Sequence, residues 1–233
     1  MKERLKKLFN SWIGAILYVL IGLFILTVLM HTGRIELYIL VVAGVPVLFA
    51  IQKQDWLPYI FAGIIFALAL MGILGAALST SFPLVSVISG SLDHGINEDG
   101  TPCRAQVSNY SPTFDNWWQA CSQTYAPFNI TKQQFSQFPF SDGLGIGYMA
   151  AVQKQDAYKV GDIIVYDVGQ AAPIIHRVVM INPDGTYQTK GDHNMGQNSY
   201  EHSVDKSRIA GKVIFAMPLL GYVKVFTARV FGV

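Results

Sequence analysis

Apolar residues run almost unbroken through the first third of the chain and then give way to short stretches of period two. Two kinds of structure are therefore expected in series. Residues 12–30 hold no charged side chain, and 19 residues at 1.5 Å each suit a hydrocarbon core of roughly 30 Å. A second run, 35–52, carries Pro46 and spans only with its flanking residues drawn in. A third, 56–79, is uncharged throughout. The pattern predicts three transmembrane helices forming an anchor over residues 1–82. Lys2, Arg4, Lys6 and Lys7 precede the first run, and short basic flanks stay cytoplasmic, so three crossings deliver everything after residue 79 to the outer face. A cleaved signal peptide is the competing reading of the first run, but its apolar core is long for one and two more runs follow.

Residues 83–233 read as one extracytoplasmic β-rich domain, with strands expected at 84–88, 163–166, 174–181, 186–189 and 212–217. Asn182-Pro183-Asp184-Gly185 reads as a tight turn joining two of them, because Pro sets φ at its start and Gly accepts positive φ at its end. About 95–147 has another texture, rich in Ser, Asn, Gln and aromatics with Phe114, Trp117 and Trp118 close together, and reads as an insertion packed on the β domain. The C-terminal run 218–233 is apolar but interrupted by Lys224 and Arg229, which suits an interfacial segment rather than a span. The expected fold class is thus N-terminal transmembrane α-helices followed by a mainly β catalytic domain with an inserted segment.

Composition agrees with an anchored protein: of 233 residues 52% are hydrophobic and only 14% charged, with mean hydropathy +0.35. Cys103 and Cys121 both fall in the insertion, on the expected outer face where oxidation occurs. A disulfide and a pair of buried thiols both fit, since spacing alone cannot supply the roughly 5.5 Å Cα separation that a bridge needs. Asn109-Tyr110-Ser111 and Asn129-Ile130-Thr131 match the glycosylation acceptor pattern.

Three polar residues interrupt the apolar pattern where chemistry could sit. Val87-Ile88-Ser89-Gly90-Ser91 is an apolar strand ending in small residues, where Ser91 can present its hydroxyl while its backbone N–H faces a developing oxyanion. His176 interrupts the branched run Ile174-Ile175-His176-Arg177-Val178-Val179 and shares a face with Ile174 and Val178, so its imidazole is expected against an apolar surface, neutral and ready to act as a base. Arg177 points the other way and is expected to be solvated. Asp192 lies 16 residues after His176 across one hairpin, a separation that can return its carboxylate to the imidazole. Each also has a plainer role: a small-residue turn, a core histidine and a turn-capping aspartate.

Five segments, Ser89-Gly90-Ser91-Leu92, Gly161-Asp162-Ile163-Ile164-Val165, Ile175-His176-Arg177-Val178, Lys190-Gly191-Asp192-His193-Asn194 and Gly211-Lys212-Val213-Ile214-Phe215, appear in that order. In these the chain resembles signal peptidase I of the archaeal and endoplasmic-reticulum type, over about residues 85–223 without the insertion. Bacterial relatives carry lysine at the position matching His176, so histidine marks the Ser-His-Asp subtype. The resemblance implies a membrane-bound serine endopeptidase that removes signal peptides from secreted preproteins after small residues. It makes Ser91 the nucleophile, His176 the base, Asp192 the orienting acid, and Ser89 a hydroxyl that joins the Ser91 N–H in the oxyanion hole. Ile88, Val165 and Ile174 are the expected lining of shallow pockets for small side chains.

The chain departs from the family pattern at Leu92, usually Met, at His94, often Pro, and at Asn198, where many relatives carry a second Asp. Glu201 or Asp205 are the carboxylates that could replace the last. The expected partners are preproteins, membrane lipid and the secretion machinery, with no nucleic acid, no cofactor and no metal. Two rival readings are an idle β-domain that binds peptides or partner proteins, and a metal hydrolase built from His94, His176, Asp192, His193 and His202. The second lacks a familiar ligand spacing.

Overall fold

The computed structural model describes residues 57–106, 109–170 and 172–231, with the side chains of 57–62, 227–229 and 231 outside the description. The chain divides into two compact units, Met1–Leu74 and Gly75–Val233. Helix α1 (Leu57–Ala77) is built from Leu, Ile, Ala, Phe and Gly without a charge. Among the described residues no helix is long and apolar enough to cross a membrane. This corrects the expected fold class: the described residues contain no transmembrane span at 56–79. The spans expected at 12–30 and 35–52 lie outside the described residues.

The second unit is a mostly β domain, a six-stranded half-barrel sheet. Its strands are β1 (Leu84–Ser86), β2 (Met149–Gln153), β3 (Ile163–Tyr166), β4 (Ile174–Ile181), β5 (Tyr187–Lys190) and β6 (Ile209–Met217), in the order β1-β2-β6-β3-β4-β5. Every neighbouring pair is antiparallel. The uninterrupted apolar run of β3 is explained by burial on both faces. Ile163 and Val165 join Val85, Val87, Leu92, Val152, Ile175 and Val213 on one side, while Ile164 and Tyr166 join Tyr158, Val178, Tyr187, Val204 and Ile209 on the other.

Observed β3 and β4 match the expected strands, and β5 is displaced by one residue. The hairpin between β4 and β5 turns where expected, with Gly185 at φ +84° and its N–H donating to Asn182 O at 2.9 Å. Strand β2 is absent from the sequence reading, because Met-Ala-Ala-Val-Gln has little intrinsic β preference and becomes a strand by pairing with β1 and β6.

The insertion is helical. Helix α2 (Phe114–Tyr125) starts at Thr113, whose side chain accepts from Asn116 N, and α3 (Lys132–Phe135) starts in a Thr131/Gln134 capping box. Trp117, Cys121, Tyr125, Ile130 and Phe135 form a third core that reaches the sheet at Val179 of β4. Cys103 and Cys121 are joined in a disulfide, with Cα atoms 5.4 Å apart. Helix α4 (Tyr222–Phe231) occupies the C-terminal run, and Asn109 and Asn129 are exposed.

The bridge closes a loop with a sequence separation of 18 residues. Replacing both cysteines by serine is expected to cost about 3 kcal/mol of stability, read as a lower urea midpoint; an unchanged midpoint would show that the third core holds the insertion without it.

Candidate active site

His176 lies near the start of β4, opposite Ile164 of β3, and is 5% exposed. Its face is the one that carries Val178 and Ile174, as alternation requires. Its Nδ1–H donates to Glu201 Oε1 at 2.5 Å. Glu201 is fully buried, and its other oxygen accepts from Asn198 N at 2.6 Å and Asn198 Nδ2 at 3.0 Å. The bond from Asn198 N is one half of the capping box of the single helical turn Ser199–Glu201. A carboxylate locked on Nδ1 fixes the tautomer and the ring orientation.

Asp192 is not the partner of His176, which corrects the expected pairing. Its oxygens accept from Arg177 Nε at 3.0 and 3.2 Å and from Arg177 Nη2 at 2.7 Å. Tyr125 OH donates to Oδ1 at 2.8 Å, and His94 Nε2 lies 3.1 Å from Oδ2. The reason is the strand period. Arg177 and His176 are consecutive, so their side chains leave opposite faces of the sheet, and Asp192 lies on the Arg177 face. Arg177, expected in solvent, is fully buried. Its remaining donors reach Pro139 O, Phe140 O and Gly161 O at 2.8–2.9 Å, and its guanidinium lies over the Phe135 ring. Burial alone would raise the Asp192 carboxyl, but the Arg177 charge and the His94 hydrogen bond outweigh it and hold the group well below the usual carboxylate range.

Ser91 is partly exposed, and its Oγ lies 3.3 Å from Ser89 Oγ. Its carbonyl accepts from His193 N at 2.9 Å. A Cβ on Gly191 would lie 2.8 Å from that carbonyl, so glycine is what lets the two segments close up. The β4–β5 pairing ends with Arg177 opposite Lys190, so His176 and Gly191, the residue that meets the Ser91 carbonyl, each lie one position from that last pair. No hydrogen bond joins Ser91 Oγ to His176 among the described residues.

A second histidine–carboxylate pair, His94–Asp192, is buried. His94 is 4% exposed and stacks on Trp117 with ring centroids 3.7 Å apart, and its Nδ1 is buried without a partner. Lys190 is buried as well, donating to Gly191 O at 2.9 Å above the Tyr125 ring. Burial pushes its ammonium down to about 8 against the opposing pull of Asp192 and Glu201.

Sequence reasoning named Glu201 only as a substitute acid; the Asn198-Ser199-Tyr200-Glu201 spacing of a capping box is the local signal that it would be oriented. It missed Tyr125 and the burial of Arg177, which depend on where the insertion packs. Asp205, the other substitute, is exposed and caps its own turn through Ser207. Val165, expected in a substrate pocket, is fully enclosed between β-strands. Among the described residues no three His, Cys, Asp or Glu side chains converge as a metal site. A cavity of about 530 Å³ lined by Thr80, Lys154, Arg208 and neighbours shares no residue with this constellation, so chemistry rather than concavity locates the site. No protein-family model matches the chain, and no curated protein matches it.

Asp192→Asn leaves Arg177 buried without a counter-charge and is expected to cost about 3–5 kcal/mol by urea unfolding. In the wild type the depressed Asp192 carboxyl contributes stability that is complete above the unfolded value of about 3.9 and is lost as pH falls toward the folded value, so the variant should lack that acid limb. Lys190 acts at the other end. Between about pH 8 and 10.5 the unfolded chain holds this proton and the folded chain does not, so stability should rise with pH across that window by on the order of 3 kcal/mol, and Lys190→Met should flatten the rise.

Proposed function

We propose that this chain is a serine endopeptidase of the signal peptidase I kind, using Ser91, His176 and Glu201. The observation that carries the reading is the buried His176–Glu201 pair, with both carboxylate oxygens occupied, at the end of the β4–β5 pairing where Gly191 meets the Ser91 carbonyl. Ser91 Oγ attacks the scissile carbonyl and forms the acyl bond while His176 Nε2 takes its proton and later passes it to the leaving amine. Water then releases the acyl group by the reverse proton path. The Ser91 N–H and the Ser89 hydroxyl, 3.3 Å from Ser91 Oγ, are the donors for the oxyanion. The five ordered motifs supply the substrate class, preproteins cut after small residues. The Cys103–Cys121 disulfide supports an oxidising, extracytoplasmic compartment.

The second reading, an idle domain that binds peptides, draws on the missing Ser91–His176 hydrogen bond. Cleavage of a preprotein in EDTA decides between them. Wild type should cut after a small residue, with kcat lower by about 10⁴ or more in Ser91→Ala and His176→Ala and by about 10²–10⁴ in Glu201→Gln. Persistent cutting by Ser91→Ala would overturn the assignment, and a silent wild type that still binds the preprotein would favour the binding domain.

A further inference from the structure

The insertion touches the nucleophile segment at several independent points. Cys103 N donates to His193 O at 2.8 Å, and the disulfide fastens Cys103 to α2. From α2, Tyr125 OH donates to Asp192 Oδ1 at 2.8 Å and Trp117 stacks on His94. From the segment between them, Tyr110 OH donates to His94 O. The gripped residues are not remote from Ser91. Gly191 and His193, which flank Asp192, both meet the Ser91 carbonyl, and His94 is three residues downstream of Ser91 with its own bond to Asp192.

We propose that the insertion is a positioning clamp for the nucleophile, acting through Tyr125 and Trp117 on Asp192 and His94 and so on the backbone of Ser91; this rests on the peptidase reading above. Tyr125 is the most telling member. It is fully buried, its ring packs on Phe135 and Trp117, and its hydroxyl has one recorded acceptor, Asp192. Tyr125, Trp117 and His94 meet no substrate; they hold the 192–194 loop so that the His193 N–H stays on Ser91 O. The nucleophile of an acyl transfer must be held to within about half an ångström, and small misplacements made far from the chemistry cost large factors in rate.

The test compares full-length wild type, Tyr125→Phe and Glu201→Gln. Phenylalanine keeps the ring and removes only the bond to Asp192, so the fold is retained. The readouts are the rate at which a fluorophosphonate probe labels Ser91, the kcat and KM for a preprotein, the pH profile of kcat/KM, and hydrogen exchange at the His193 amide. Tyr125→Phe should speed exchange at that amide about tenfold, slow labelling and kcat about tenfold, and leave KM and the pH profile unchanged, whereas Glu201→Gln should alter the pH profile and leave the exchange rate alone. Wild-type exchange and labelling in Tyr125→Phe, whatever its Tm, would reduce the insertion to a structural ornament and overturn the clamp while leaving the Ser91–His176–Glu201 assignment standing. Faster exchange in a chain whose wild type is never labelled would overturn both, since there would be no nucleophile to position.

Discussion

The ion pair between Arg177 and Asp192 joins the sheet, the loop after β5 and the insertion at one buried point. Both side chains are wholly enclosed, where an unpaired charge would be very costly and where a half-satisfied network is worse than an apolar one. This network is well satisfied: Arg177 reaches Asp192 and three backbone carbonyls, and Asp192 takes Tyr125 and His94 besides the guanidinium. Such a pair adds little net stability over an apolar replacement. What it does is fix geometry, because its bonds tie β4, the loop after β5 and the insertion to one point.

The period of β4 then divides the chemistry between two faces. On one, Arg177 builds the enclosed anchor; on the other, one residue earlier, His176 meets Glu201. The two histidine–carboxylate pairs differ in what surrounds them. His94 is pressed flat against Trp117 with one nitrogen enclosed and unpartnered. His176 has its acid on Nδ1, and Gly191, the contact point of Ser91, directly follows the residue paired with Arg177. A carboxylate near a histidine is therefore insufficient as a criterion. The decisive features are which nitrogen the carboxylate occupies and what the other one can reach.

Much of the β architecture was legible because its causes are local or semi-local. Continuous branched residues in β3 and β4, and a turn with Pro and Gly at the positions that need them, leave few alternatives. Strand β2 was illegible because its alanines are drawn into the sheet by their neighbours. The apolar N-terminal third suggested spans, and the described part of α1 does not supply one. His176 was legible as a polar interruption of an apolar strand, while Ser91, expected at a strand end, lies in a turn beyond β1, and the role given to Asp192 was inferred from hairpin distance alone.

Hairpin distance says that two residues can meet; it does not say on which face of the sheet. By itself the sequence determined the strand pattern of β3 and β4, the β4–β5 turn and the placement of a histidine on β4, since these follow from side-chain period and backbone preference. Only the tertiary structure decided that Asp192 belongs to Arg177, that Glu201 belongs to His176 and that Cys103 meets Cys121. The physical reason is that partner choice among buried polar groups is settled by the total set of hydrogen bonds a packed interior can satisfy, and that set spans residues far apart along the chain.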